Sequence, residues 1–176
     1  MSAGIFQIPT LTTERLTLRA PRMSDFDAFA EFRASDRARF VGSPNTRSEA
    51  WGQFLGLAGQ WAILGYGRWI VADTATDAPL GVVGLLFPVG WPEPEIGWTM
   101  FADGEGRGLA HEAALAARAY AYGTAGWTTA ISLINPANER SVALGRKMGC
   151  HPEGQFVHDA YGTMHIWRHP APEDLP

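Results

Sequence analysis

The spacing of apolar and polar residues changes several times along this chain, and each change marks an element. Leu16 and Leu18 alternate with Arg15, Thr17 and Arg19, the period of two expected of a strand with one buried face, and Pro21 ends it. Ser24 then reads as a helix N-cap, with Asp25 and Asp27 near the positive end and Phe26, Phe29, Ala30 and Phe32 at helical spacing, which predicts a helix over 25–33. A polar, proline-containing connection at 42–47 leads to a second helical pattern over 48–64, carrying Trp51, Phe54, Leu55, Ala58 and Trp61. Gly52, Gly56 and Gly59 argue against its continuity.

Residues 68–72 and 80–87 read as a hairpin, and Pro88, Gly90, Pro92 and Pro94 make a stiff connection carrying Trp91 and Glu93 into a strand over 96–101. A glycine-dense turn follows, then an alanine-rich helix over 109–122 stopped by Gly123, and a β-branched strand over 128–134. Asn138 caps a helix over 139–148, with Gly149 just past its end. Residues 154–158 and 161–168 form a last hairpin, and HPAPEDLP reads as a tail. The order β, α, α, β, β, β, α, β, α, β, β needs a parallel strand pair inside a mixed sheet, because a strand–helix–strand crossover returns in the same direction. A single domain over 1–170 with a flexible tail at 171–176 is the expectation.

Composition narrows the partners. A net charge of −4 without any basic run argues against nucleic acid or an anionic membrane, and an amine-bearing small partner fits better. Cys150, the only cysteine, leaves no internal disulfide and suits a reducing compartment. The N-terminus has no signal-like pattern and no apolar run is long enough to span a bilayer, so a cytoplasmic location is expected. His158, His165 and His169 crowd the last hairpin without a compact ligand cluster, so no metal is expected.

The chemistry concentrates in EIGWTMFADGEGRGLAHEAALAARAYAYG, residues 95–123. Gly104, Gly106 and Gly108 let backbone N–H groups approach a ligand, and the helix that follows adds unpaired N–H groups and a positive dipole end. An anion is therefore expected against Arg107, Gly108, Leu109 and Ala110. A tight connection without a ligand is the plainer reading of the same glycines.

With these elements in place, the chain resembles the GCN5-related N-acetyltransferases, in the branch of the ribosomal-protein N-terminal acetyltransferases. The resemblance rests on LTTERLTLRAPRMSDFDAFAEF, EIGWTM, GEGRGLAHEA and NPANERSVALGRKMGC, and covers most of the chain. It implies an α/β fold with a mixed, mostly antiparallel twisted sheet, a central parallel pair splayed around the coenzyme, and about four flanking helices. It implies acetyl-coenzyme A as cosubstrate, with Gly106, Arg107, Gly108, Leu109 and Ala110 at the pyrophosphate and Trp98, Met100, Phe101, Asn135, Asn138 and Ser141 along the pantetheine. A backbone N–H near Met100 or Phe101 is the candidate for polarising the thioester carbonyl. Ser141 is the candidate donor to the coenzyme sulfur, because Gly145 stands where many members carry a tyrosine acid. Glu105 departs from the family's Gln or Arg, and a carboxylate beside a pyrophosphate is repulsive unless it pairs with a cation.

The implied reaction is attack of a neutral amine on the thioester. A lysine-type amine is about 0.04% neutral at pH 7 and an α-amine about 10–20%, so the α-amine needs less help from a base. Glu95 and Glu93 are the candidate bases, Glu95 favoured because it begins the strand. His111 and Glu112 read as structural, Tyr161 and His165 as candidate acceptor-pocket residues, and Cys150 as a small hydrophobe. A peptide N-terminus and a small-molecule amine both remain as acceptors, a coenzyme-binding module with little catalysis is the alternative, and the chain is expected as monomer or homodimer.

Overall fold

The computed structural model describes residues 7–42 and 45–175. Residues 1–6 and 176, and positions 43–44 of the connection expected at 42–47, lie outside the described residues. In chain order the elements are β1 (Leu11–Thr12), β2 (Leu16–Arg19), α1 (Phe26–Ala34), α2 (Arg47–Leu64), β3 (Arg68–Asp73), β4 (Pro79–Leu86), β5 (Glu95–Met100), α3 (Leu109–Gly123), β6 (Ile131–Ile134), α4 (Glu139–Lys147), β7 (His151–His158) and β8 (Gly162–Arg168). The eight strands form one sheet in the order β1-β2-β3-β4-β5-β6-β8-β7, antiparallel throughout except for β5 beside β6. No described helix is long and apolar enough to cross a membrane.

One side of the sheet carries a core in which Leu16, Leu18, Trp69, Val71 and Leu85 meet Leu109, Ala113, Ala117 and Ala121 of α3. The alanines let the helix backbone lie close to the strands, which is the packing its composition anticipates. The other core joins Phe26, Phe29 and Phe32 of α1 to Phe54 and Leu57 of α2, over Ile70, Val82 and Phe101.

Several elements differ from expectation for identifiable reasons. The glycines do not break α2, which runs unbroken over Arg47–Leu64 with Gly52, Gly56 and Gly59 making no close contact. A capping box between Thr46 and Glu49 and the buried Phe54, Leu57 and Trp61 offset their cost. Ser24 does not cap α1; a 3-10 turn over Met23–Asp25 precedes it, and the buried Asp25 carboxylate receives the Arg19 guanidinium at 2.8 and 2.9 Å. The two-residue β1 is too short to give a periodic signal. The strand expected from residue 128 starts at Ile131, since Thr129 instead receives Arg168 Nη1 and the Ala130 carbonyl receives the His169 amide. HPAPEDLP does not leave the domain at once: His169 is 2% exposed and Pro172–Asp174 forms a 3-10 turn.

Candidate active site

The centre of the sheet opens where β5 and β6 meet. They pair in register only at Glu95 and Ile131, with the Ile131 amide on the Pro94 carbonyl at 3.0 Å. The next parallel bond would run from the Leu133 amide to the Ile96 carbonyl. Two side chains take both ends of it: Leu133 N–H donates to Glu95 Oε1 at 3.1 Å, and Ser132 Oγ–H donates to the Ile96 carbonyl at 2.7 Å. The strands therefore begin to separate with the Ile96 carbonyl and the Leu133 amide both still paired.

Behind this opening His169 Nε2 lies 2.9 Å from Ser132 Oγ. The serine proton is committed to Ile96, so the imidazole must donate from Nε2, and its Nδ1 is left without a partner among the described residues. Burial, then the charges of Arg118 and Arg168, push the His169 pKa down to about 3, which keeps the ring neutral. The sequence groups His169 with His158 and His165 at the last hairpin; no group of three His, Cys, Asp or Glu side chains among the described residues has metal-site geometry.

Two clefts run from the splay. The larger, about 920 Å³, is lined by Trp98, Met100, the turn from Gly104 to Gly106, Gly108 to His111, and Asn138 to Ser141. Its glycines play different roles. A Cβ on Gly104 would lie 2.4 Å from the Leu80 carbonyl oxygen, so that residue packs the turn onto β4. Gly106 and Gly108 have φ of +71° and +76°, a backbone that disfavours any side chain, and Gly108 is the N-cap of α3. The amides of Gly106, Arg107 and Gly108 donate to no acceptor among the described residues, and the first-turn amides of α3 have none by helix geometry. These groups make an anion cradle at a helix N-terminus. The Arg107 side chain is turned away onto the Asp103 carbonyl at 3.0 Å, so only its backbone faces the cradle region.

Glu105 sits in this cleft between two cations, Arg37 and Arg140, the latter 2.7 Å away. Desolvation raises its pKa, but the bonds to Arg37 and Arg140 outweigh it and hold the carboxyl below its ordinary range. The charge that looked repulsive in the sequence is thus paired. Glu112 is likewise structural: it receives Thr13 Oγ1 at 2.6 Å and the Arg15 amide at 2.9 Å, tying α3 to the β1–β2 corner.

The second cleft, about 400 Å³, lies on the other side of the splay and includes Arg33, Gln60, Arg68, Trp91, Glu95, Asn135 and Tyr161. Both clefts share Trp98, Thr99, Asn138 and Ser141, so they are two arms of one passage. Asn138 Oδ1 caps α4 through the Ser141 amide at 3.3 Å. Trp98 Nε1 donates to Ser141 Oγ at 3.2 Å, and since an indole only donates, the serine keeps its own proton for another acceptor. Gly145 leaves little room for the absent tyrosine: a Cβ there would be 3.3 Å from Ile134 and 3.5 Å from the Trp167 ring.

Glu95 is 7% exposed and reaches into the second cleft under Trp91, whose Nε1 donates to Oε2. Burial raises its pKa above the ordinary carboxylate range, against the opposing bonds from Trp91 and Leu133 and the charge of Arg68. Glu93 is placed elsewhere: Arg168 grips it with two bonds of 2.6 Å and holds its pKa low, and it lines neither cleft. Phe101 also departs from its expected role. Its ring packs on Phe29 and Phe32, and its amide is used by the Leu80 carbonyl at 2.8 Å. Strand alternation then turns the amides of Trp98 and Met100 toward the open side. Tyr161 does line the second cleft, while His165 lies against Gln155. Cys150 is buried, its thiol pushed up to about 11 by desolvation.

Sequence reading missed Arg33, Gln60, Arg68, Ser132 and His169. Only Arg68 left a trace, as a cation opening the strand RWIVAD ahead of its apolar run at 69–72.

A mixed sheet opened at its one parallel pair, with a glycine turn and a helix N-terminus at the mouth, defines the class of acyltransferases built on the acetyl-coenzyme A-using GNAT fold. The chain belongs to that family: the model of the acetyltransferase (GNAT) domain matches residues 15–151. It is similar to an acetyltransferase from Agrobacterium tumefaciens str. C58, at 34% identity over 94% of this chain and 96% of that one, with a TM-score of 0.85. It shares its fold with the ribosomal-protein-S5-alanine acetyltransferase from Vibrio fischeri, at 16% identity over 96% of this chain and 100% of that one, TM-score 0.72. The same holds for RimL, a ribosomal L7/L12 alpha-N-protein acetyltransferase, at 14% identity over 92% and 93% of the two chains, TM-score 0.73.

Proposed function

We propose that the chain moves the acetyl group of acetyl-coenzyme A to a primary amine by direct attack. The observation that carries this reading is the single passage: an anion cradle opens one arm, a buried carboxylate of raised pKa stands in the other, and Trp98 and Ser141 lie where they meet. The pyrophosphate rests on the amides from Gly106 to Ala110, with Arg37 and Arg140 adding charge at the rim. The pantetheine runs along the open edge of Trp98 and Met100, beside Asn135 and Asn138. The amine nitrogen forms a bond to the thioester carbonyl carbon and loses its proton to Glu95, directly or through one water. The charge that gathers on the carbonyl oxygen is met by the Met100 N–H, the free member of the two amides first considered. As the C–S bond breaks, the sulfur takes the electron pair and receives the Ser141 hydroxyl proton as a hydrogen bond.

A cytoplasmic site of action agrees with the unpaired, inert Cys150. Calorimetric titration with acetyl-coenzyme A, followed by mass spectrometry of acceptors incubated with it, tests the proposal. Saturable binding and an acetylated amine are expected. Binding without any acetylated acceptor across peptides, amino acids, polyamines and aminoglycosides would instead make the chain a coenzyme-binding module, and absence of binding removes both readings.

A further inference from the structure

The second cleft contains more positive charge than it neutralises. Arg68 rises from the start of β3 into it, and no nitrogen of its guanidinium makes a hydrogen bond or ion pair among the described residues. Its Nε is sealed from solvent. Burial lowers the pKa of this arginine, and the charge of Arg33 pushes the same way against Glu95 and Tyr161. Among the described residues Arg33 is satisfied by neutral oxygens, the Asn45 amide at 2.8 Å and the Val41 carbonyl at 2.9 Å. Gln60 Oε1, in the same lining, is buried without a donor among the described residues. Two guanidinium groups and one carboxylate, Glu95, thus line the cleft, and the Glu95 charge acts on Arg68 without a salt bridge among the described residues.

A partly buried cation whose Nε has no hydrogen-bond partner is costly, and a fold that keeps one beside a cleft gains the compensation when the cleft is filled. A simple amine cannot supply it, since its positive charge would add to the excess. A molecule that carries an amine and an acid supplies both partners at once. We propose that the acceptor is a small amino acid, whose carboxylate is received by Arg68 while its amine faces Glu95 and the splay. The inference rests on the acetyltransferase reading for its direction of transfer, and on the unpaired arginine for its substrate class. Phe29, Phe32, Val82 and Leu86 add apolar surface to the same cleft, which lowers the local dielectric and strengthens a charge-assisted fork. A cleft of about 400 Å³ has room for one amino acid. A peptide N-terminus has an amide in place of the acid, so only a peptide opening with aspartate or glutamate offers related chemistry.

Matched pairs test this. Protein saturated with coenzyme A is titrated with L-phenylalanine, L-methionine and L-glutamate, each against its α-carboxamide, and with a tripeptide opening in aspartate against its asparagine counterpart. At least one free acid binds about tenfold or more tightly than its amide, in keeping with a charge-assisted bond. Arg68→Gln brings that ratio to within about threefold, Arg68→Lys restores part of it, and both variants keep the wild-type affinity for coenzyme A, which verifies their fold. 3-Phenylpropionate, an acid without an amine, competes with phenylalanine on the wild-type protein, a readout that needs no variant. The proposal is overturned if every acid matches its amide, if phenylalanine is a preferred acid and 3-phenylpropionate does not compete with it, if the acid preference survives Arg68→Gln, or if only the acidic tripeptide is preferred. Acetylated product is followed in parallel. Preferred binding of an acid without turnover refutes the transferase reading and leaves the acid site standing, while equal turnover of acids and amides does the reverse. Amidation lowers the pKa of an α-amine and favours the amide in intrinsic reactivity, so a preference for the acid can come only from the site.

Discussion

The two arms of the passage are built by different means. The arm proposed for the coenzyme is made mostly of backbone: the amides of Gly106 to Ala110 and the open edge of β5 at Trp98 and Met100, with the Asn138 side chain capping the helix beside them. The acceptor arm is made of side chains drawn from α1, α2, β3, the 88–94 connection and the β7–β8 turn, with charges whose balance depends on what enters. A backbone site tolerates change in side chains and fails when its dihedral angles are disturbed. A side-chain site can be redirected one residue at a time. The first suits a cosubstrate common to a family and the second an acceptor that differs among its members.

Glu95→Gln tests the acceptor arm at its chemistry and carries the largest expected effect. Loss of the proton acceptor lowers kcat by about 10²–10⁴-fold, the usual range for a positioned base, with coenzyme affinity unchanged by calorimetry. The pH profile gives the sharper check. Burial raises the Glu95 pKa, so the rate in the wild-type protein climbs through a limb displaced above the ordinary carboxylate range as the base form appears. In the Gln variant that limb vanishes and only the titration of the amine remains. A variant that keeps both rate and limb removes Glu95 from the reaction.

Gly108→Asp tests the other arm. A side chain at φ +76° is strained, and a carboxylate at the α3 N-terminus opposes the pyrophosphate, so coenzyme affinity falls by about 10–100-fold. Gly108→Ala carries the strain without the charge and falls less. Acid-over-amide preference in the acceptor arm is unaffected at saturating coenzyme. If Gly108→Asp instead leaves coenzyme affinity intact, the cradle lies elsewhere and the division between the two arms fails.

The same division explains what was legible in the sequence. The glycine turn, the α3 start and the Asn138 cap are local signals, with donors and acceptors only a few residues apart, so spacing alone exposed them. Glu95 was legible because it begins a strand at a recognisable motif. Arg33, Gln60 and Arg68 carried no such mark, since each belongs to an otherwise ordinary helix or strand and their meeting is a product of the sheet order. Phe101 was misread for the same reason: one residue past β5, alternation commits its amide to β4, and sequence does not give the phase of that alternation. His169 looked like part of a tail because its partner, Ser132, lies on another strand.

Glu105 belongs to neither pattern, and its effect is the smallest expected. It is a side chain in the backbone-built arm, held between Arg37 and Arg140, which are 43% and 82% exposed. Pairs of that exposure are weak and screened by salt. Glu105→Gln frees two cations at the rim of the cleft, so acetyl-coenzyme A binds tighter by no more than about threefold at low ionic strength, and the gain disappears at high salt. A gain above tenfold would show that the carboxylate competes with the phosphates for the same arginines. A loss of affinity would show instead that Glu105 holds Arg37 and Arg140 where the phosphates need them, and the coenzyme arm would then depend on a side-chain network as the acceptor arm does.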